Sequence, residues 1–173
     1  MSSEAKSINE INADLFQPEE VDRFADPKEA RKKAMDYLAR REYGQDELVA
    51  KLAKAGFDAA VAADVVSVLR DDGLQSDQRF SESFVQSRIN QGKGPVRIRQ
   101  ELKERGIRSA TIGDALENAG ADWYAIALEI RCKKFGFELP PDFKEKARQM
   151  RFLQYRGFEQ DHIQAAIAAH GEP

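Results

Sequence analysis

The sequence predicts an all-α protein in which three tandem three-helix repeats form an elongated, curved, solenoid-like array. No segment alternates apolar and polar residues for long enough to be a strand, whereas apolar residues recur at helical spacings. Gly56, Gly106 and Gly157 each follow a helical stretch and stand 50 and 51 residues apart. A leucine stands four residues before each of these glycines: Leu52, Leu102 and Leu153. Because the same pattern of leucine and helix-ending glycine recurs about every 50 residues, we predict three copies of one helical unit.

The similarity between the copies extends to both sides of the glycines. A large apolar residue follows each glycine directly: Phe57, Ile107 and Phe158. Two apolar positions four residues apart then recur in each copy: Ala62 and Val66, Ile112 and Leu116, Ile163 and Ile167. This spacing is that of one face of a helix. The third copy departs upstream, where Gln149 occupies the place of Leu48 and Ile98.

Residues 1–27 are predicted to form an acidic, flexible N-terminal tail. Eight acids and three bases lie between Met1 and Ala30, a net charge of −5. A segment with this charge and few apolar residues buries too little surface to fold alone. An alternative stays open, in which a short helix docks through four apolar residues: Ile8, Ile11, Leu15 and Phe16.

Residues 28–74 are predicted to form repeat 1. Asp58 is placed to cap its third helix, because a carboxylate before the first turn accepts hydrogen bonds from free backbone N–H groups. The three apolar faces contain, in order, Ala30, Ala34, Tyr37 and Leu38; Leu48, Val49 and Leu52; Val61, Val65, Val68 and Leu69. Each face recurs at helical spacing, so three short helices are expected.

Residues 75–120 are predicted to form repeat 2, organised around the segment Phe84–Gly106. This segment has the pattern of a helix, a tight turn, a second helix and a stop. Pro95 is suited to the first position of the second helix, because its φ is already helical and its missing N–H has no intrahelical acceptor there. Ile98 and Leu102 form the apolar stripe of that helix. The final glycine of the segment can adopt positive φ and end the helix.

The outer helices of repeat 2 also carry capping residues. Ser76 or Asp77 is predicted to cap the first helix, and Ser109 the third. Residues 121–173 are predicted to form repeat 3. Its first helix is expected to begin after Asp122 and to stop at Gly136.

Four segments together carry a resemblance to a known family. They are LQSDQRF at 74–80, FVQSRINQGKGPVRIRQELKERG at 84–106, REYGQDELVAKLAKAGF at 41–57 and KARQMRFLQYRGF at 146–158. The chain resembles the bacterial RecX regulatory proteins from about Arg31 to Ile167. The resemblance implies a partner, the RecA recombinase filament on single-stranded DNA, whose groove such an array would cover. It also implies inhibition or modulation of recombinase, ATPase and coprotease activities, and hence roles in homologous recombination, DNA repair and the SOS response.

The composition indicates a charge-rich protein with a real core. Hydrophobic residues make up 42% and charged residues 33% of the 173 residues. There is no long apolar run and no signal-peptide pattern, so a cytoplasmic protein with no membrane partner is expected. Cys132 is the single cysteine, which excludes an internal disulfide and agrees with a reducing compartment. No coiled-coil heptads occur, and we expect an extended monomer.

Two basic blocks lie within this acidic chain, whose net charge is −3. Arg79–Arg108 and Arg131–Arg156 each hold eight bases and three acids, a net of +5. Such blocks concentrate positive potential where a polyanion or an acidic partner would bind. The candidate partner-binding or nucleic-acid-binding residues are Arg79, Lys93, Arg97, Arg99, Lys103, Arg108, Lys133, Lys134, Lys144, Lys146, Arg148 and Arg151. The alternative is a solvated helix face with internal pairs such as Glu101 with Arg105.

Two residue positions near the turn have other predicted roles. Arg88 stands four residues after Phe84, beside the apolar stripe, and is expected to be structural. Free backbone N–H groups after Gly94 could hold a phosphate at the start of the next helix, although capping alone explains the residues equally well.

The sequence contains no motif of a catalytic, metal or cofactor site. His162 and His170 are eight residues apart with no acidic cluster suited to metal binding, and no nucleophile with a base can be assembled from spacing. The expected function is a non-enzymatic regulator without cofactors. Two alternatives stay open: a helical module that binds nucleic acid directly without a recombinase, and a helical adaptor whose charges serve only solubility.

Overall fold

The computed structural model describes residues 22–173, and this part of the chain forms helices and turns without strands. A short 3₁₀ turn, Arg23–Ala25, precedes nine α-helices. They are α1 (Pro27–Leu38), α2 (Gln45–Lys54), α3 (Ala59–Asp71), α4 (Asp77–Asn90), α5 (Pro95–Glu104), α6 (Ser109–Asn118), α7 (Trp123–Phe135), α8 (Phe143–Arg156) and α9 (Gln160–Ala168). Helices α1–α3, α4–α6 and α7–α9 form repeats 1, 2 and 3. The all-α prediction with three three-helix repeats is confirmed.

Most helix ends are formed by the residues that the sequence indicates. The Asp58 carboxylate accepts from the N–H groups of Ala60 and Val61, 2.9 and 3.2 Å away, and so caps α3. Gly106 and Gly157 have φ of +76° and +93°, a region that a residue with a Cβ rarely adopts. The three recurring glycines therefore end their helices as predicted.

The cap predictions for the outer helices of repeat 2 have different outcomes. Ser76 caps α4 by accepting from the N–H of Arg79. Asp77 instead reaches repeat 1, where its carboxylate accepts from the N–H of Gln45 at 2.8 Å. The prediction for Ser109 is wrong: Arg108 occupies the N-cap position of α6, and no side chain caps that helix.

Each repeat buries its own apolar cluster. The equivalent leucines Leu52, Leu102 and Leu153 are all 0% exposed and lie in three separate clusters. Trp123, at the start of α7, packs against both the second and third clusters. Because the core is divided along the chain, the molecule is an array of small units joined at their ends.

The two junctions between repeats are built alike. At the second junction, the N–H groups of Gly94 and Val96 donate to the carbonyls of Arg156 and Gly157, both at 2.9 Å. The start of α5 thus meets the end of α8. At the first junction, a Cβ on Gly106 would collide with the carboxylate of Asp46 in the first turn of α2. In both cases the first turn of a middle helix packs on the helix-ending glycine of the next repeat.

The N-terminal turn occupies the corresponding position on repeat 1. A Cβ on Gly56 would collide with the ring of Phe24, and the N–H of Asp58 donates to the Phe24 carbonyl at 3.0 Å. The Phe24 ring also packs edge-on against Phe57, with centroids 5.6 Å apart. The end of the predicted tail is therefore ordered against repeat 1, whereas residues 1–21 lie outside the described residues.

Candidate nucleic-acid interface

The candidate bases divide into two groups. Five form ion pairs with acids of the chain: Arg79, Lys93, Arg97, Lys133 and Arg148. Seven are exposed and form no ion pair with any residue in the described range 22–173: Arg99, Lys103, Arg108, Lys134, Lys144, Lys146 and Arg151. The second group presents unbalanced positive charge at the surface.

Arg79 holds the link between repeats 1 and 2. Its Nε atom pairs with Glu42 of repeat 1 at 2.9 Å, and its guanidinium also donates to the carbonyls of Gly73 and Leu74. These contacts use much of its donor capacity within the chain. Arg79 is thus better explained as a structural residue than as a binding residue.

Glu101 on α5 is the centre of a half-buried ionic cluster. Its carboxylate accepts from Arg88 at 2.6 Å, from Lys93 at 3.0 Å and from Arg97 at 3.1 Å. The structural role predicted for Arg88 is confirmed. The pair predicted between the Glu101 carboxylate and Arg105 is wrong, because Arg105 donates to the Glu101 backbone carbonyl instead. The cluster joins α4, the glycine turn and α5 at one point.

The cluster changes the acidity of Glu101. Burial raises the pKa of this carboxyl, but hydrogen bonds from Arg88, Lys93 and Arg97 outweigh burial and lower the pKa to about 2 from an ordinary 4.5. The ionised form is therefore favoured in the folded protein. Since the folded-state pKa lies below the unfolded-state pKa, this stabilisation is complete above about pH 4.5 and is lost as the pH falls toward 2.

Replacing Glu101 with Gln is expected to remove this part of the acid sensitivity. The wild-type free energy of unfolding should decrease as the pH falls from about 5 to 2, because Glu101 takes up a proton on unfolding. The Glu101→Gln variant should be less stable at neutral pH and have a flatter profile in that window. Urea unfolding at several pH values measures both. Glu104→Gln, an exposed change on the same helix, is the control. Identical pH slopes for Glu101→Gln and wild type would contradict the assignment.

The start of α5 is not an open phosphate site. The N–H groups of Gly94 and Val96 are already bonded to the end of α8, and Pro95 has no N–H to offer. The structure thus corrects the prediction of free N–H groups there. A helix N-terminus and a helix C-terminus satisfy each other instead.

Arg99 and Lys103 form an exposed basic strip on α5. They are one turn apart, and both are exposed while Ile98 and Leu102 on the same helix are fully buried. The prediction that these two bases face solvent, opposite the apolar stripe, is confirmed. Arg108, just before α6, is also exposed.

A second strip lies along α8 and is named here the α8 strip. Its members, at spacings of four, three and four, are Lys144, Arg148, Arg151 and Tyr155. This spacing places them on one helix face. Tyr155 is 76% exposed, and the guanidinium of Arg97 lies 5.4 Å from its ring centroid. Arg148 is partly neutralised by a two-bonded pair with Glu145, with both distances 2.9 Å.

Tyr155 is a candidate that the charge-based sequence argument missed. Its position four residues after Arg151 and seven after Arg148 could have indicated it, since an aromatic residue in a basic helical face is suited to base stacking. Arg97 connects the α8 strip to repeat 2 by donating to the Tyr155 carbonyl at 3.4 Å. The two basic blocks of the sequence are therefore brought into contact at this junction.

Other members of the second basic block have structural roles. Arg131 is 0% exposed and donates to the carbonyls of Glu138 and Phe137, so it holds the turn after α7. The sequence counted it as part of a surface block, and the structure corrects this. His162 accepts from the N–H of Glu159 and completes a capping box at the start of α9.

Within residues 22–173, no helix is both long and apolar enough to cross a membrane.

The fold and these strips define a tandem three-helix repeat protein with exposed basic helix faces in neighbouring repeats. Models of the three RecX three-helix domains match consecutive segments of the chain: the first matches residues 30–69, the second 76–116 and the third 121–167. The chain belongs to the RecX family of regulatory proteins.

Curated relatives named regulatory protein RecX cover most of the chain. The protein of Halorhodospira halophila is 45% identical over 142 residues, which is 82% of this chain and 88% of the relative. The protein of Pseudomonas savastanoi pv. phaseolicola is 43% identical over 145 residues, or 84% of this chain and 94% of the relative.

Two solved structures have the same fold. The crystal structure of RecX from Lactobacillus salivarius aligns with a TM-score of 0.68 at 21% identity, covering 82% of this chain and 94% of that one. A second crystal structure of a regulatory protein RecX aligns with a TM-score of 0.69 at 22% identity, covering 94% of this chain and 78% of that one.

Proposed function

We propose that this protein binds the RecA filament on single-stranded DNA and inhibits or modulates its recombinase, ATPase and coprotease activities. The relatives are named regulatory proteins of this family, which supports a regulatory role. The proposal includes neither catalysis nor a cofactor. In this proposal it acts in the cytoplasm, in DNA repair and the SOS response, as a monomer. Three small repeats joined end to end offer a long surface for a filament groove.

The proposal of one binding surface across repeats 2 and 3 rests on the contact between Arg97 and Tyr155. It joins the basic residues of repeat 2 to the α8 strip, so that positive charge continues across the junction. The strip from Lys144 to Tyr155 covers twelve residues, and the eleven rises between them correspond to about 16 Å of helix. Bases that follow a backbone, together with an exposed aromatic ring, are suited to single-stranded nucleic acid.

Direct nucleic-acid binding without a recombinase remains the second candidate function. The exposure of Tyr155 favours it, because base stacking needs an accessible ring and no protein partner. The two functions differ in salt dependence. Binding to bare single strands through phosphates weakens steeply with added salt, whereas a recombinase surface adds contacts that do not.

Reversing charge on the α8 strip tests the surface. The double change Lys144→Glu and Arg151→Glu should lower affinity for recombinase-coated single-stranded DNA by about tenfold or more, because lost attraction is combined with new repulsion. Arg99→Glu with Lys103→Glu tests the α5 strip in the same way. Fluorescence anisotropy at several salt concentrations measures both variants, and circular dichroism checks their helix content.

The matched control is Lys32→Glu with Lys54→Glu in repeat 1, where both lysines are exposed. Lys51, on the same helix as Lys54, is not used in the control because its ammonium lies 5.0 Å from the Tyr37 ring centroid, and its replacement would also remove that contact. Equal loss from the control and the strip variants would indicate diffuse attraction and not a defined surface. Unchanged affinity in both strip variants would exclude these two helices as the interface.

A further inference from the structure

The two repeat junctions use their equivalent arginines differently. Arg105 and Arg156 each stand directly before the helix-ending glycine of their repeat. Arg156 donates at 3.0 Å to the carbonyl of Gln91 in the preceding repeat and so closes the second junction. Arg105 instead donates at 2.9 Å to the Glu101 carbonyl of its own helix. The first junction consequently lacks this cross-link.

A cleft of about 630 Å³ lies at the first junction. Its walls come from the segment after α1, from α2, from α4 and from the end of α5. Its polar lining consists of four arginines, two acids and two serines: Arg40, Arg41, Arg88, Arg105, Glu42, Glu47, Ser83 and Ser87. This volume is in the range of small-ligand sites in proteins. The cleft is separate from the α5 and α8 strips.

The charges in the cleft are not balanced. Arg41 pairs with Glu47 at 2.7 Å, and Arg88 pairs with Glu101. The other lining acid, Glu42, pairs with Arg79 outside the cleft at 2.9 Å. Arg40 and Arg105 also line the cleft but form no ion pair with any acid among the described residues. Two guanidinium groups therefore remain to attract an anion.

The aromatic floor fixes the orientation of two guanidinium groups. The guanidinium carbons of Arg88 and Arg105 lie 4.1 and 4.7 Å from the ring centroid of Phe84, which is itself buried. Cation–π contacts of this kind hold the planar fork in place. A guanidinium positioned in advance loses less conformational entropy when it binds an oxyanion.

We propose that this cleft binds a phosphate-bearing ligand, with Arg105 and Arg40 as its anion-binding residues. A planar guanidinium donates two parallel hydrogen bonds to phosphate oxygens, and the exposed hydroxyls of Ser83 and Ser87 supply further donors. The phosphate comes from the backbone of a single-stranded nucleic acid or from a free nucleotide. The site does not depend on the proposed function, because it requires no recombinase.

Titration calorimetry on the full chain without recombinase tests the cleft. The probes are a fifteen-residue oligo-dT, ATP and inorganic phosphate. Arg40→Ala and Arg105→Lys should each weaken binding of the true probe at least fivefold, because the first removes a charge and the second removes the guanidinium fork but keeps the charge. Arg23→Ala, at an exposed arginine outside both the cleft and the candidate binding residues, should bind as wild type.

The outcomes separate the two phosphate sources. If the two variants weaken only oligo-dT binding, the ligand is a nucleic-acid backbone. If they weaken ATP binding, the ligand is a free nucleotide. If Arg105→Lys melts early, Arg40→Ala still decides, since Arg40 is exposed. No binding of any probe, or binding that both variants leave unchanged, would overturn the proposal. The Lys144→Glu and Arg151→Glu variant should still bind ATP or phosphate if either occupies the cleft, so failure of the proposed function is recognised separately.

Discussion

Replacing Leu102 with Ala is expected to lower the free energy of unfolding by about 2–5 kcal/mol. Leu102 is 0% exposed in the apolar cluster of repeat 2, where it lies with Phe84, Ile98 and Ile112. Truncation removes buried methyl groups and leaves a cavity that a close-packed core fills only in part. Urea unfolding followed by circular dichroism measures the change, and helix content at zero denaturant checks that the variant folds.

The matched control is Leu74→Ala, the same substitution at a side chain that is 40% exposed in the link between repeats 1 and 2. Leu74→Ala should lower the free energy of unfolding much less, because the lost side-chain atoms are largely exposed and their removal leaves no closed cavity. Equal destabilisation by both changes would contradict the repeat alignment that makes Leu102 equivalent to Leu52 and Leu153. The alignment also predicts that Leu52→Ala and Leu153→Ala cost similar amounts.

Replacing Gly94 with Ala is expected to open the junction between repeats 2 and 3. Gly94 has φ of −84°, which Ala adopts without strain, so the effect is steric and not conformational. A Cβ there would lie 2.4 Å from the carbonyl carbon and oxygen of Gly157, and this backbone cannot move aside without breaking the contact. Overpacking of this kind costs about 1–3 kcal/mol.

The expected signature is local as well as global. The N–H of Val96 donates to the Gly157 carbonyl, so its hydrogen exchange should become much faster in the Gly94→Ala variant. Amide exchange followed by nuclear magnetic resonance measures this. Gly44→Ala is the control, because Gly44 also precedes a middle helix but meets only side-chain atoms, at 3.4 Å. Similar effects from both variants would attribute the loss to helix capping and not to the junction.

Much of the fold could be predicted from the spacing of apolar residues and from the positions of glycine and proline. Apolar faces predicted the helices, the recurring glycines predicted where helices end, and Pro95 predicted where one begins. These features are readable from the sequence because helix ends and buried stripes depend on neighbouring residues. Ser109 was misassigned for a related reason: several residues near a helix start can cap it, and local sequence does not choose between them.

The candidate site was predicted less completely. The sequence identified the basic residues but not which of them are paired or buried: Lys93 and Arg97 share Glu101, and Arg131 is buried. Charge pairing acts over a few ångströms between residues from different helices, so it is invisible in a count of charges along the chain. Tyr155 was missed because it carries no charge.

The sequence by itself determined the repeat, its period, the buried leucines and the family, because these depend on spacing along the chain. Only the tertiary structure decided which N–H groups and charges are available to a ligand. The N–H groups of Gly94 and Val96 are taken by α8, and Arg105 lines an open cleft whereas its equivalent Arg156 donates across the second junction to Gln91. The physical reason is that a donor is free or satisfied according to what packs against it, and at each junction that neighbour comes from another repeat.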